Sequence, residues 1–206
     1  MNGPIFTYAL IAVNVAISLW GFSALKNRGG SFKRFVFAPF EAARGRNLQG
    51  VALSHFAHGD GWHLFFNMLT FYMFGRVVEG SLGGPRMLAV YAAGAIAGNV
   101  LIFALRRNNP EYRVLGASDS VTAILFAAIV LAPEMTIRLL VIPFPIPAPL
   151  FAVLYLAYTS FLLDKELGNV SHEAHLGGAL AGLLLGGWLA PGHFGPLIER
   201  AQRLFH

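Results

Sequence analysis

Six apolar stretches follow one another along the chain, and shorter polar segments separate them. The first is about 20 residues long, which at 1.5 Å per residue is enough to cross roughly 30 Å of hydrocarbon. The pattern therefore predicts an all-α polytopic membrane protein, with six transmembrane helices forming a single domain over 1–206. The predicted helices cover about 5–25, 62–78, 87–105, 118–132, 149–163 and 173–189.

The connection between the first two predicted helices, 26–61, mixes large apolar side chains with basic ones. A solvated linker rarely contains so many aromatic residues, whereas a segment at a membrane surface uses both kinds. We therefore expect this loop to be partly embedded in the membrane. Its large apolar residues include Phe32, Phe35, Val36, Phe37 and Phe40.

Composition narrows the class of protein further. Hydrophobic residues make up 56% of the 206 and charged residues 12%, which is about half the charged share of a soluble domain. This balance excludes a disordered chain and disfavours a soluble globule. The absence of cysteine excludes disulfides, thiol catalysis and cysteine-ligated zinc. The net charge of +5 comes mainly from loops between apolar stretches, so we expect contact with membrane lipid and no nucleic-acid binding.

The fourth apolar stretch is informative because it is short. Fifteen residues at 1.5 Å each cover only about 22 Å, less than the hydrocarbon core of a bilayer. Backbone that is not helical at such a depth must be buried in protein or face water. The sequence therefore predicts that Ser118, at the start of this helix, lies in a buried and hydrated position.

Polar side chains within apolar stretches are costly and need an explanation. His63 and Asn67 are four residues apart on one helix face, Ser118 opens the short helix, and His175 lies in the last helix. Taken singly, these residues fit structural roles: an interhelical hydrogen bond, an N-cap and a packed histidine. Taken together, they provide a nucleophile, a base and two donors to a developing negative charge, the set that acyl transfer requires.

The order of these motifs resembles the rhomboid family of intramembrane serine proteases. The resemblance covers nearly the whole chain, from the first predicted helix to the last. Two glycine-containing helices, with Gly94 and Gly98 in one and Gly178, Gly182 and Gly186 in the other, have the spacing of close helix contacts. The matching motifs are His58 to Asn67, Gly75-Arg76-Val77-Val78-Glu79 followed by Gly83, Gly116-x-Ser118, and Ala174-His175-x-Gly177-Gly178.

The resemblance implies a serine endopeptidase with a two-residue catalytic centre and no cofactor or metal. Ser118 would be the nucleophile and His175 the general base and then acid. His63, Asn67 and the backbone N–H of Ser118 would form the oxyanion hole. The implied substrates are transmembrane segments of other membrane proteins.

The resemblance also implies supporting roles for four residues. His58 and Glu79 would hold loop and helix ends, and Gly178 would bring the sixth helix close to the fourth. Gly116 is small enough to let a substrate backbone approach Ser118. We expect a multi-pass location in a bacterial inner (cell) membrane, and the sequence leaves the oligomeric state open.

One residue departs from the family pattern, because Asp119 stands where the family usually has glycine. A residue one step after Ser118 lies about 100° around the helix, so the carboxylate need not face the site. An anion beside the oxyanion site would oppose the charge that develops there. Asp119 is therefore either a brake on activity or an adaptation to this site.

Membrane orientation is a second open point. Family resemblance puts Ser118 on the outer side with both termini inside, whereas basic residues are more numerous in the loops on the Ser118 side, which the positive-inside rule assigns to the cytoplasm. Those loops contain Lys26, Arg28, Lys33, Arg34, Arg44, Arg46, Arg106, Arg107, Arg113 and Lys165, against Arg76, Arg86, Arg138, Arg200 and Arg203 on the opposite side.

Two other functions compete with proteolysis. A rhomboid-like protein that binds membrane helices without cutting them would tolerate Asp119. A metal transporter or metalloprotease is less favoured, although His172 and His175, like His55 and His58, are three residues apart. Only one residue separates Glu173 from His175, where the zincin helix needs two.

Overall fold

The protein is described from a computed structural model that covers residues 3–26, 30–139, 144–163 and 171–203. It is an all-α membrane bundle whose six longest helices are α1 and α4–α8. Arg28 and Lys165 lie outside the described residues. The helices are α1 (Ile5–Lys26), α2 (Pro39–Ala42), α3 (Leu48–Leu53), α4 (Gly61–Leu82), α5 (Gly84–Arg106), α6 (Ser118–Leu131), α7 (Ala148–Phe161), α8 (His172–Leu189) and α9 (Phe194–Gln202).

Among the described residues, two helical segments are long and apolar enough to span a membrane without help: Ile5–Ala24 and Gly84–Arg106. The helices His172–Leu189 and Pro191–Gln202 count as a third span if they are taken together, although they are bent by 108°. α6 and α7 are apolar but have only 14 residues each. At 1.5 Å per residue, each covers about 21 Å, so both end inside a typical hydrocarbon core.

α6 forms the centre of the bundle, packed against α4, α5 and α8. Every residue from Asp119 to Leu131 is buried, whereas Ser118 at its start is partly exposed. The apolar side chains of this helix join two hydrophobic clusters, one toward α4 and α5 and one toward α7 and α9. A helix that is apolar on all sides is stable only when it is surrounded, which is its position here.

Glycines bring α8 against α6 at backbone distance. A Cβ atom at Gly178 would lie 2.1 Å from the carbonyl oxygen of Asp119, and one at Gly182 would lie 2.2 Å from that of Ala123. Both contacts advance by four residues on each helix, so α6 and α8 run parallel and stay in register.

Two helix boundaries depend on local caps that the apolar pattern does not reveal. Asp60 accepts a hydrogen bond from the N–H of His63 at 2.8 Å and so caps α4, which begins at Gly61, one residue before the predicted start. The same helix continues to Leu82, beyond the predicted end at 78, and stops at Gly83, whose φ of 80° favours glycine.

Short elements occupy three regions that the prediction left without helices or strands. The 26–61 connection contains a 3₁₀ helix at Gly30–Phe35 followed by α2 and α3. α9 follows α8 through a 3₁₀ turn at Pro191–His193 and packs Leu197 into the core. A two-stranded antiparallel ribbon, β1 (Thr136–Ile137) and β2 (Ile146–Pro147), precedes α7.

Candidate active site

Ser118 is the first residue of the central helix α6, and it follows a glycine in an unusual conformation. Gly116 has φ of 135°, a value that residues with a side chain rarely adopt. Within the described parts of the chain, neither the hydroxyl nor the N–H of Ser118 has a hydrogen-bond partner. Since the first N–H groups of a helix have no partner inside it, this end of α6 presents donors to a ligand.

The imidazole of His63 lies directly against the backbone of Gly116. A Cβ atom at Gly116 would be 2.7 Å from Cε1 and 2.9 Å from Nε2 of His63, so a side chain there would displace the ring. This contact brings the ring of α4 to within two residues of Ser118. The glycine is therefore required by space as well as by its φ.

Asn67 lies one turn after His63 on the same face of α4. Its side-chain amide donates a hydrogen bond to the carbonyl oxygen of His63 at 3.0 Å. An asparagine amide has two N–H groups, so the second remains for another acceptor. The Asn67 side chain is nearly buried.

His58, in the loop before α4, packs its ring against the ring of His63. The two rings meet edge to face with 5.0 Å between their centroids. Nδ1 of His58 lies 2.9 Å from the hydroxyl of Ser18 in α1, which donates in turn to the carbonyl oxygen of Phe56 at 3.1 Å. Burial lowers the pKa of His58 from 6.5 to about 3, so its ring is neutral at physiological pH.

His175 lies one turn before Gly178 on α8. That is about 4.5 Å along the helix, while Ser118 precedes Asp119 by about 1.5 Å on α6. Because Gly178 packs on Asp119 and the helices run parallel, the two residues sit at nearly the same level of the bundle. Both are partly exposed, whereas Ala174, Gly177 and the rest of α6 are buried.

The His175 ring stacks on Tyr155 of α7, with 6.3 Å between centroids and 27° between planes. Tyr155 in turn lies 3.3 Å from the hydroxyl of Thr122 on α6. No hydrogen bond joins Ser118 to His175 in the described structure. Catalytic hydrogen bonds are often long before substrate binds, so this geometry is compatible with a pair that closes on the substrate.

The first turn of α8 is anchored by a buried ionic cluster. Glu173, 2% exposed, pairs with Arg106 at the end of α5 and accepts a hydrogen bond from Tyr112 at 3.1 Å. The Tyr112 hydroxyl also lies 2.8 Å from the hydroxyl of Ser171, which caps α8. Burial raises the pKa of Tyr112 to about 12. The cluster holds the helix that carries His175 against α5.

Glu79 lies about 24 Å along α4 from His63, at the opposite end of the bundle. It accepts hydrogen bonds from the N–H groups of Phe6 and Thr7 at 3.0 and 2.7 Å, and from the Thr7 hydroxyl at 2.6 Å. A carboxylate at a helix start satisfies free N–H groups and suits the helix dipole. Glu79 therefore connects α1 to α4 away from Ser118.

Three residues at the site have contacts that the motifs do not indicate. Asp60 caps α4 beside His63, Tyr155 stacks on His175, and His55 contacts Asp119. An aspartate three residues before His63 is a recognisable N-cap signal. Nothing in the sequence pairs the other two, because their partners lie far along the chain.

The histidines do not gather into a metal site in the part of the chain that the structure describes. No group of three or more metal-ligating side chains is present there. His172 is 4% exposed, and its ring meets Tyr158 edge to face at 5.7 Å. His55 contacts the carboxylate of Asp119 and the side-chain amide of Asn99.

Comparisons with protein-family models and with known proteins both give matches to rhomboid proteins. The family model for the Rhomboid domain matches residues 46–192. The chain is 29% identical over 162 residues to RHOMBOID-like protein 12, mitochondrial, of Arabidopsis thaliana, covering 71% of this chain and 48% of that protein. It is 27% identical over 186 residues to Rhomboid protein 1, mitochondrial, of Saccharomyces cerevisiae, covering 89% and 53%.

A third relative is Presenilin-associated rhomboid-like protein A, mitochondrial, of Danio rerio. It is 29% identical over 182 residues, covering 84% of this chain and 45% of the relative. The chain thus spans about half the length of these curated relatives.

Proposed function

Because the chain belongs to the rhomboid family, we propose that it is an intramembrane serine endopeptidase in which Ser118 and His175 carry out the reaction. The observation that carries the proposal is the meeting of three elements at the start of α6. Ser118 opens the helix, His63 packs on Gly116 two residues earlier, and the register of α8 puts His175 within about 3 Å of the level of Ser118 along the bundle.

The proposed reaction is acyl transfer followed by hydrolysis. His175 takes the proton of the Ser118 hydroxyl as its oxygen attacks a peptide carbonyl carbon, and the carbonyl electron pair moves to the oxygen. That oxyanion accepts hydrogen bonds from the Ser118 N–H, the free amide N–H of Asn67 and the His63 ring.

Collapse of this intermediate breaks the C–N bond, and His175 returns the proton to the leaving amine. A water molecule then attacks the ester carbon, with His175 again accepting a proton. This step releases a carboxylic acid and regenerates the Ser118 hydroxyl. The proposed substrates are transmembrane segments of membrane proteins, because Ser118 lies at the end of a helix enclosed in the bundle.

The test is cleavage of a transmembrane peptide by purified protein in detergent. Ser118→Ala and His175→Ala should each abolish cleavage, while the matched change Ser120→Ala should not. Ser120 is a fully buried serine two residues along the same helix, so it controls for the loss of a hydroxyl in α6. Full activity in either Ser118→Ala or His175→Ala would contradict the proposal.

A second candidate is a rhomboid-like protein that binds membrane helices without cutting them. The observation that favours it is the lack of a Ser118–His175 hydrogen bond in the described residues. Such a protein would bind the peptide equally well as wild type and as Ser118→Ala, and neither would produce fragments. Fragments from the wild type alone would exclude it.

We also propose that the host membrane is a bacterial inner (cell) membrane, although the relatives compared above carry mitochondrial names. A tagged chain expressed in a bacterium and in yeast would be followed through membrane fractionation. Recovery from the bacterial inner membrane supports the proposal. Recovery from yeast mitochondria, with none in the bacterial membrane, would contradict it.

A further inference from the structure

Asp119 is fully enclosed although it follows Ser118 directly. It is 2% exposed, and its Oδ1 accepts a hydrogen bond from the N–H of Ser120 at 2.7 Å. Its Oδ2 lies 2.9 Å from Nδ1 of His55, within ion-pairing distance, although the N–H does not point straight at the oxygen. Both side chains are nearly buried, with exposures of 3% and 9%.

A contact at the second ring nitrogen of His55, Nε2, determines which of the two nitrogens carries the proton. The amide nitrogen of Asn99 in α5 lies 2.7 Å from Nε2 of His55, and it also donates to the carbonyl oxygen of Val51 at 3.0 Å. An amide NH₂ is only a donor, so Nε2 must be the acceptor. The ring proton therefore sits on Nδ1, the nitrogen that lies 2.9 Å from Oδ2 of Asp119.

Close packing of α5 and α8 restricts the position of Asp119. A Cβ at Gly98 of α5 would lie 2.7 Å from Oδ2 of Asp119, and a Cβ at Gly178 of α8 would lie 2.1 Å from its carbonyl oxygen. The residue thus fills the junction of α5, α6 and α8. Its carboxylate points across α5 toward the loop that precedes α4.

The loop before α4 contacts the chain both before and after Ser118. The N–H of Gly116 donates to the carbonyl oxygen of Ser54 at 2.9 Å, and the next residue, His55, contacts Asp119. The adjacent loop residues Ser54 and His55 therefore contact Gly116, two residues before Ser118, and Asp119, one residue after it. A fixed backbone at this point determines where the hydroxyl and N–H of Ser118 are presented.

We propose that Asp119 and His55 are positioning residues for Ser118, with Asn99 setting the His55 tautomer. This inference rests on the proposed function and assigns the unusual acid at 119 a supporting role. It predicts that Asp119 acts on the rate of reaction at the serine and not on substrate binding.

The experiment measures two quantities on folded, purified protein: the rate of covalent labelling of Ser118 by a fluorophosphonate, and the kcat and KM of peptide cleavage. Asp119→Asn and His55→Asn should each lower kcat and the labelling rate by about 10- to 100-fold, with KM little changed, the scale of a misplaced nucleophile. The double variant should fall no further than the single ones, since both changes break one contact.

Glu79→Gln is the matched control. It removes a hydrogen-bonded carboxylate at the far end of the bundle. It should lower thermal stability and leave the labelling rate per folded molecule unchanged. If Asp119→Asn behaves like this control, the pair is only structural and the inference is wrong.

Asn99→Ala keeps the test decisive if the variants at positions 119 and 55 do not fold, because it leaves both side chains of the Asp119–His55 contact in place. It should slow labelling less than Asp119→Asn but measurably. A labelling rate equal to wild type would overturn the inference. Failure of the wild type itself to be labelled or to cleave would instead contradict the proposed function.

Discussion

Substitution of Gly178 by alanine should separate the two helices that carry Ser118 and His175. The new Cβ would lie 2.1 Å from the Asp119 carbonyl oxygen, whereas ordinary carbon–oxygen contacts are about 3.3 Å. Relief of the overlap requires a displacement of about 1 Å, at a cost of about 1–3 kcal/mol. A shift of about 1 Å at a reacting pair lowers kcat by about 100-fold.

A graded series of alanine substitutions along α8 tests this reasoning, with Gly192 in the 3₁₀ turn after the helix as the control. The Cβ clearance rises from 2.2 Å at Gly182 to 3.1 Å at Gly186, while Gly192 has no atom within 4 Å. Peptide cleavage and thermal unfolding in detergent are measured for all four variants. Both losses should be largest at Gly178 and decline with clearance, and Gly192→Ala should match wild type. Wild-type activity in Gly178→Ala, or equal losses at Gly186, would refute the packing argument.

Four further experiments have defined outcomes. Asn67→Ala should slow cleavage by about 10- to 1000-fold through loss of one oxyanion donor, with the same melting temperature as a check on folding. Glu173→Gln should reduce the free energy of unfolding by about 2 kcal/mol because it removes the carboxylate that pairs with the partly buried guanidinium of Arg106; a melting temperature equal to wild type would disprove this. The folded-state pKa of His58 is about 3, below its unfolded value of 6.5, so its contribution to stability is complete above pH 6.5 and falls by about 1.4 kcal/mol per pH unit below it. Denaturant unfolding at pH 7.5 and 5 should show this loss in wild type and less of it in His58→Gln. Because the chain has no native cysteine, Gly59→Cys and Gly195→Cys report orientation: in intact cells a membrane-impermeant maleimide should label only the first if Ser118 faces outward, and labelling of only the second would reverse the orientation.

The fold could be predicted from the local spacing of apolar residues. Features that depend on contacts between distant parts of the chain could not. The length of each apolar stretch indicates a helix without reference to the rest of the chain, so the all-α membrane bundle followed from the sequence. α9 was missed because Pro191 and Gly192 just before it, and Pro196 in its first turn, look like a loop. The end of α4 was set too early because Arg76 and Glu79 look like a polar terminus.

In the candidate site, too, local spacing was predictable from the sequence and contacts between distant residues were not. Spacing brings His63 and Asn67 to one helix face, but it cannot say which neighbour Asp119 meets. The direction of that carboxylate depends on how α6 is rotated in the bundle, which the contacts at Gly98 and Gly178 determine. His55, weighed from sequence only as a metal ligand, contacts Asp119 for the same reason.

The enclosure of α6 has a consequence for how the protein responds to its bilayer. A helix bordered by lipid must tilt, or deform the membrane, when its length differs from the hydrocarbon thickness. α6 is buried from Asp119 to Leu131 and has no such border, so hydrophobic mismatch acts on the surrounding helices and not on the one that begins with Ser118. Thin and thick bilayers should therefore alter how a substrate helix reaches the protein while leaving the nucleophile's depth in the bundle unchanged.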